Sequence, residues 1–127
     1  MLVDDHALVR MGVSLILSAA GIEVVGECAD GAEVLSRASE VQPDVVLMDY
    51  RMPLVTGTEA TRQLLDRYPT IRVVMLTASG VGDHVGEALD SGAVGYVVKG
   101  GDPASLVHAV RTVAAGGTFW QPTQRNL

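Results

Sequence analysis

The chain has 127 residues, 48% of them hydrophobic, and its 9 Lys+Arg against 15 Asp+Glu give a formal net charge of -6. A domain of this size buries a sizeable core, so wholesale disorder is excluded, and no basic cluster exists that could neutralise several phosphates, which argues against direct nucleic-acid binding by this chain. Cys28 is the single cysteine; it excludes an intrachain disulfide or a Cys-x-x-Cys pair, suits a small buried apolar position and fits a reducing compartment. The apolar runs fall well short of the ~20 residues of a membrane span, and "MLVDDH" lacks the regions of a signal peptide. The expected setting is the cytoplasm, without a membrane.

Short β-branched runs alternate with helical stretches along the chain. Leu2-Val3 gives a strand β1 near 1–4, followed by a helix α1 near 6–20 that Gly21 ends as a C-cap. Ile22 to Val25 opens β2 near 22–28, and the capping-box spacing of Asp30 and Glu33 starts α2 near 31–41. Val45 to Met48 then runs straight into Asp49, forming β3 near 44–49. Thr56 with Glu59 repeats the capping box and opens α3 near 57–68, which Tyr68-Pro69 closes. Strand β4 near 72–77, helix α4 near 83–91 and strand β5 near 94–98 follow, and Asp102-Pro103 supplies an N-cap and a proline at the first position of α5 near 103–116. The closing stretch "GGTFWQPTQRNL" has the composition of a linker, so the domain is expected to span 1–119, with 120–127 a tail or the start of a linker.

This alternation predicts an α/β fold: a doubly wound, five-stranded parallel sheet in the order 2-1-3-4-5, flanked by five helices and buried on both faces. In such folds ligands sit beyond the carboxyl ends of the strands, where β1 and β3 flank the topological switch point. Here those ends carry Asp4 and Asp5, Asp49, Thr77 and Lys99. Three carboxylates a few ångströms apart repel by roughly 1 to 4 kcal/mol per pair, so the cluster calls for a cation or for shifted pKa values. Oxygen ligands of this kind suit Mg²⁺ or Mn²⁺. Lys99, the chain's one lysine, follows the apolar run "GYVV" and can pair with a carboxylate or with a phosphoryl oxygen.

The segments "LVDDH", "VVLMDYRMP", "VVMLTA" and "GYVVKG" together resemble the receiver domain of two-component response regulators, with its flavodoxin-like fold. The "DDH" and "DYRMP" segments are most similar to the subgroup with a C-terminal helix-turn-helix output domain, and the resemblance runs from Leu2 to about Phe119. It implies that Asp49 accepts a phosphoryl group from a sensor histidine kinase or a small phosphodonor, forming an acyl phosphate. It further implies that Asp5, Asp49 and the backbone carbonyl of Arg51 ligate the metal, while Asp4 acts mainly through a metal-bound water. Thr77, the amide of Ala78 and Lys99 would hold the phosphoryl oxygens, and Tyr96 would be the switch aromatic that turns inward as Thr77 moves. Arg51 and Ser79 stand where the family tunes the lifetime of the acyl phosphate. The surface expected to change is α4, β5 and α5, controlling an output domain, as in transcription regulation, or a homodimer with or without dependence on phosphorylation. DNA would be reached only through an output domain. Acceptance and loss of the phosphoryl group would be self-catalysed, without turnover on external substrates.

Other readings compete with this one. Gly80 to Gly86, "GVGDHVG", superficially suggests a dinucleotide loop, but G-x-G-x-x-G needs glycine at Val85 and belongs to the first βα turn. Its glycines predict a mobile β4–α4 connection and a weak start to α4. His6, His84 and His108 show no ligand spacing and read as surface or packing residues. Met52-Pro53 either shapes the turn that aims the Arg51 carbonyl or simply packs. The functional alternatives are a phosphorylation-independent interaction module, against which the intact acidic set argues, and a Mg²⁺-dependent aspartyl phosphohydrolase. Such hydrolases place a second acid two residues after the nucleophile, where this chain has Arg51.

Overall fold

The computed structural model of the chain describes residues 1–78 and 84–121. Its elements run β1 (Leu2–Val3), α1 (Ala7–Ala19), β2 (Glu27–Cys28), a 3-10 turn (Gly31–Glu33), α2 (Val34–Val41), β3 (Val45–Asp49), α3 (Gly57–Arg67), β4 (Arg72–Thr77), α4 (Val85–Ser91), β5 (Gly95–Val98), α5 (Pro103–Ala114) and β6 (Phe119–Trp120). The strands form one sheet in the order β2-β1-β3-β4-β5-β6, and every pairing is parallel. The order expected for the first five strands is present. The sixth strand corrects the expected strand count and places Trp120 in the sheet, where the sequence reads as linker.

Period-two alternation sorts the strands' side chains into two cores. Val3, Val46, Met48, Val73, Met75 and Tyr96 pack with Val34 and Ala38 of α2, Ala60 and Leu64 of α3 and Ala88 of α4. Leu2, Leu47, Val74, Leu76 and Val97 pack on the opposite face with Leu17 of α1 and with Leu106, Ala109, Val110 and Val113 of α5. Burial on both faces is why these strands read as continuous apolar runs. Each fully buried Leu or Val contributes about 1.5–3 kcal/mol, and the two layers fix the register that sets the strand ends side by side.

The helix boundaries follow their caps. Gly21 and Ile22 donate their N–H groups to the carbonyls of Ser18 and Leu17, at 3.0 and 2.9 Å, closing α1 in a Schellman pattern. Asp30 accepts from the N–H groups of Ala32 and Glu33, but the turn it caps is 3-10, so α2 proper starts three residues later than expected. Thr56 accepts from Glu59 N–H, and Asp102 from Ala104 N–H ahead of Pro103. β2 is much shorter than its apolar run predicts: β1 offers only Leu2 and Val3 as partners, and a ladder is no longer than its neighbour. Among the described residues no helix is long and apolar enough to cross a membrane.

Candidate functional site

Two-residue β1 and five-residue β3 are register neighbours, so their ends bring Asp4, Asp5 and Asp49 together. Asp4 and Asp49 are buried, each 2% exposed, whereas Asp5 is open to solvent. β5 delivers Lys99 to the same point: its Nζ lies 2.6 Å from Asp4 Oδ2 and 2.9 Å from Asp49 Oδ1. The Lys99 backbone N–H donates to the Thr77 carbonyl at 2.6 Å, so this lysine is tied to the end of β4 as well.

The remaining contacts orient the carboxylates. The backbone N–H of His6 donates to Asp4 Oδ1 at 2.8 Å, a local turn that holds the Asp4 carboxylate in place. Arg10, on α1, donates to the Asp4 carbonyl at 2.6 Å and to Glu27 Oε1 at 3.1 Å, joining β1, α1 and the end of β2. Arg51 N–H donates to Asp49 Oδ1 at 3.2 Å. Asp49 Oδ2, by contrast, is buried and has no hydrogen-bond partner among the described residues. A buried acceptor without a partner costs about 1–3 kcal/mol, so the pocket stores an unmet demand for a cation or a donor.

The electrostatics agree with that demand. Burial pushes the Asp49 carboxyl up to about 6; Lys99 opposes the shift and the Asp4 carboxylate reinforces it. For Lys99 burial acts downward, but its hydrogen bonds to Asp4 and Asp49 outweigh it, so the ammonium is held above its usual pKa. Donor atoms of Asp4, Asp5, His6 and Asp49 all lie within 4.8 Å of one another. Lys99 pairs with two of the three carboxylates there, and Asp49 Oδ2 is unsatisfied. The donor set therefore fits a hard, oxygen-seeking divalent cation.

Of the residues singled out in the sequence, Asp4, Asp5, Asp49 and Lys99 converge, with Thr77 buried at the end of β4 beside them in the sheet. Ala78 is exposed immediately after β4, and Arg51 is exposed in the loop after β3. Tyr96 does not line the pocket; it is wholly buried in the layer beneath α2, α3 and α4. Met52 is buried in that same layer, so packing is at least part of its role. Ser79 and the Gly80–Asp83 part of the glycine-rich segment lie outside the described residues, as does the expected mobility of that connection.

His6 is exposed, as a surface histidine is expected to be, yet it adjoins the site. Its Nδ1 lies 3.2 Å from Asp5 Oδ1 and 3.4 Å from Asp4 Oδ1, in the acidic cluster itself. Ligand spacing gave no hint of this, because adjacency to Asp4-Asp5 across one turn brings it there. Two further residues escaped notice. Gly57, at the start of α3, sits so close to the end of β3 that a Cβ would overlap the Asp49 carbonyl oxygen. Tyr50, next to Asp49, donates to Glu87 Oε2 at 2.8 Å and stacks on His84 at 4.1 Å, docking α4 beside the site. Burial, then Glu87, raises the Tyr50 pKa.

Comparison with known proteins gives a consistent picture. The family described as response regulator receiver domain matches residues 1–111. Response regulator GacA of Pseudomonas viridiflava is 44% identical over 123 residues, covering 96% of this chain and 58% of that protein. Transcriptional regulatory protein DegU of Brevibacillus brevis is 41% identical, with 96% of this chain and 52% of that protein covered. A crystal structure of a LuxR-family two-component response regulator from Aurantimonas sp. SI85-9A1 superposes with a TM-score of 0.87 at 39% identity, covering 94% of this chain and 86% of the other. The chain thus spans little more than half the length of the curated relatives it matches.

Proposed function

The chain belongs to the response regulator receiver domain family of two-component signalling, and on that footing we propose that Asp49 is its phosphoacceptor. The observation that carries this reading is the state of the Asp49 carboxylate: Oδ1 is held by Lys99 and Arg51 N–H, while Oδ2 is buried and unsatisfied. One oxygen is fixed and the other is left to react.

In the proposed reaction an Asp49 oxygen attacks the phosphorus of a sensor kinase's phosphohistidine or of a small phosphodonor. A P–O bond forms to Asp49 as the P–N or P–O bond to the donor breaks, and the donor leaves with the electron pair. Lys99 moves from neutralising Asp49 to neutralising the incoming phosphoryl oxygens, keeping Asp4 as its second partner. Thr77 donates its hydroxyl to a phosphoryl oxygen and Ala78 its amide. Asp5, Asp49 and the Arg51 carbonyl would hold Mg²⁺ or Mn²⁺, with Asp4 acting through a water, and the ion would supply charge neutralisation that one lysine cannot. Hydrolysis of the acyl phosphate returns the domain to its starting state. This chemistry is self-catalysed and stays on the chain's own aspartate; Arg51 stands where an aspartyl phosphohydrolase needs its second acid, which argues against turnover on external substrates.

Phosphorylation adds roughly -1.5 to -2 charge to the pocket. Thr77 and Tyr96 carry that change to the α4–β5–α5 surface, which controls self-association or a DNA-binding output domain in a longer parent protein. Incubating the protein with Mg²⁺ and acetyl phosphate and measuring intact mass tests the assignment. One added phosphoryl group in the wild type, lost in Asp49→Asn, is expected; labelling that persists in the variant would place the acceptor elsewhere.

A further inference from the structure

The segment that leaves α5 lies along the outer edge of β5. Phe119 and Trp120 pair in parallel with Gly95 and Tyr96. Phe119 N–H donates to the Val94 carbonyl at 3.1 Å and Gln121 N–H to the Tyr96 carbonyl at 2.9 Å. Past the strand, the Gln121 side chain takes over: its Oε1 accepts from Val98 N–H at 2.8 Å, one residue before Lys99. Trp120 stacks on Tyr96 with ring centroids 6.2 Å apart and planes 22° apart. Gly95 leaves room for this approach, since a Cβ there would press on Val74 and the Phe119 carbonyl. The exit segment therefore grips β5 at Tyr96 and at the residue adjoining Lys99.

We infer that Phe119–Gln121 reads the acid pocket: the outer edge of β5 is a docking surface, the exit segment is its occupant, and phosphorylation of Asp49 changes how tightly that segment is held. The inference rests on the phosphoacceptor reading above. Lys99 bridges Asp4 and Asp49 and is bound through its backbone to Thr77. A phosphoryl group that draws the ammonium and the Thr77 hydroxyl toward itself pulls on the end of β5. Val98 and Tyr96 are the residues of that strand that Gln121 and Trp120 hold. Few bonds fasten the exit segment, so a modest bias in β5 shifts its population between docked and released. The curated relatives extend well beyond the matched region, and in such a protein this segment would be the lead into whatever follows.

Trp120 is the chain's single tryptophan, so its fluorescence reports on this segment alone. The full chain is titrated with beryllofluoride in the presence of Mg²⁺, with bound fluoride followed by ¹⁹F NMR. Trp120 emission and amide exchange at Gln121 should change over the same concentrations that saturate the fluoride signal, and Asp49→Asn should abolish both. Coupling is reciprocal, so Gln121→Ala should displace the beryllofluoride midpoint by on the order of 5-fold. Saturating fluoride binding with Trp120 emission and Gln121 exchange unmoved would overturn the inference even if the variant does not fold. An unchanged midpoint in a folded Gln121→Ala would do the same. Failure of the wild type to bind beryllofluoride would overturn the phosphoacceptor reading, and this inference with it.

Discussion

Lys99 lies 2.6 Å from one buried carboxylate oxygen and 2.9 Å from another, so Lys99→Met leaves two buried carboxylates without their cation. Breaking a buried pair from one side costs about 3–5 kcal/mol. Chemical denaturation in a chelator should show a loss of this size, partly restored by Mg²⁺; a variant as stable as wild type in chelator would mean that the pocket is solvated and the pairing incidental. Asp49 gives a second expectation, with a definite sign. Its pKa rises from 3.8 to about 6 on folding, so the folded protein binds this proton more tightly than the unfolded chain does. The resulting stabilisation is fully present below about pH 4 and is lost as the pH rises through 6. In metal-free protein, Asp49→Asn should therefore gain on wild type as the pH is raised from about 4 to 7, by on the order of 2 kcal/mol. Urea titrations at several pH values measure the difference, and a gap that narrows with rising pH would contradict it. The acidic and basic members of this pocket are legible in the sequence because each ends a strand. His6 is not, because its place depends on the one-turn reversal that the Asp4 carboxylate itself organises.

α3 starts where its cap says it should, yet the cap does not reveal how close that start comes to β3. The Gly57 N–H donates to the Tyr50 carbonyl at 3.1 Å, and a Cβ at 57 would overlap the Asp49 carbonyl oxygen. Gly57→Ala must push α3 away from the residue that bears the reactive carboxylate. The expected cost is about 1–3 kcal/mol, together with slower phosphoryl acceptance in the intact-mass assay. A variant that loses stability but labels at the wild-type rate would show that the Asp49 geometry tolerates the shift. Elements of five or more residues were readable from period and caps: β3 and β4 match their apolar runs, and Asp102-Pro103 marks the start of α5. Of the two-residue strands, β1 was legible at Leu2-Val3, whereas β6 and the true extent of β2 were not. Phe119–Trp120 has no period to detect and sits between Gly116-Gly117 and Pro122, which read as linker, while β2 is cut back by its short partner. Strand pairing is a property of two segments, and either one alone understates or overstates it.

At the scale of the molecule, the doubly wound order was predictable because right-handed crossovers leave few ways to bury apolar runs on both faces. The outer edge of β5 was not, since nothing in the local sequence announces that the exit segment returns to cover it. The acid pocket is the place where this architecture converges: β1, β3 and β5 deliver its charges, and β4 anchors Lys99. A cation bound there would tie together strands from the middle of the sheet and should stabilise the whole domain in one cooperative step. A ligand at 100 times its Kd adds about 2.7 kcal/mol, which for a domain of this size raises Tm by roughly 10 °C. Calorimetry with Mg²⁺ against chelator should show a rise of that order in a single transition. Asp5→Asn removes a solvent-open carboxylate from the cluster without emptying a core position, so its metal-free Tm should stay near that of wild type while most of the Mg²⁺ response disappears. An equal response in the variant would mean that Asp4 and Asp49 hold the ion without Asp5, and the ligand assignment would then move to the two buried carboxylates.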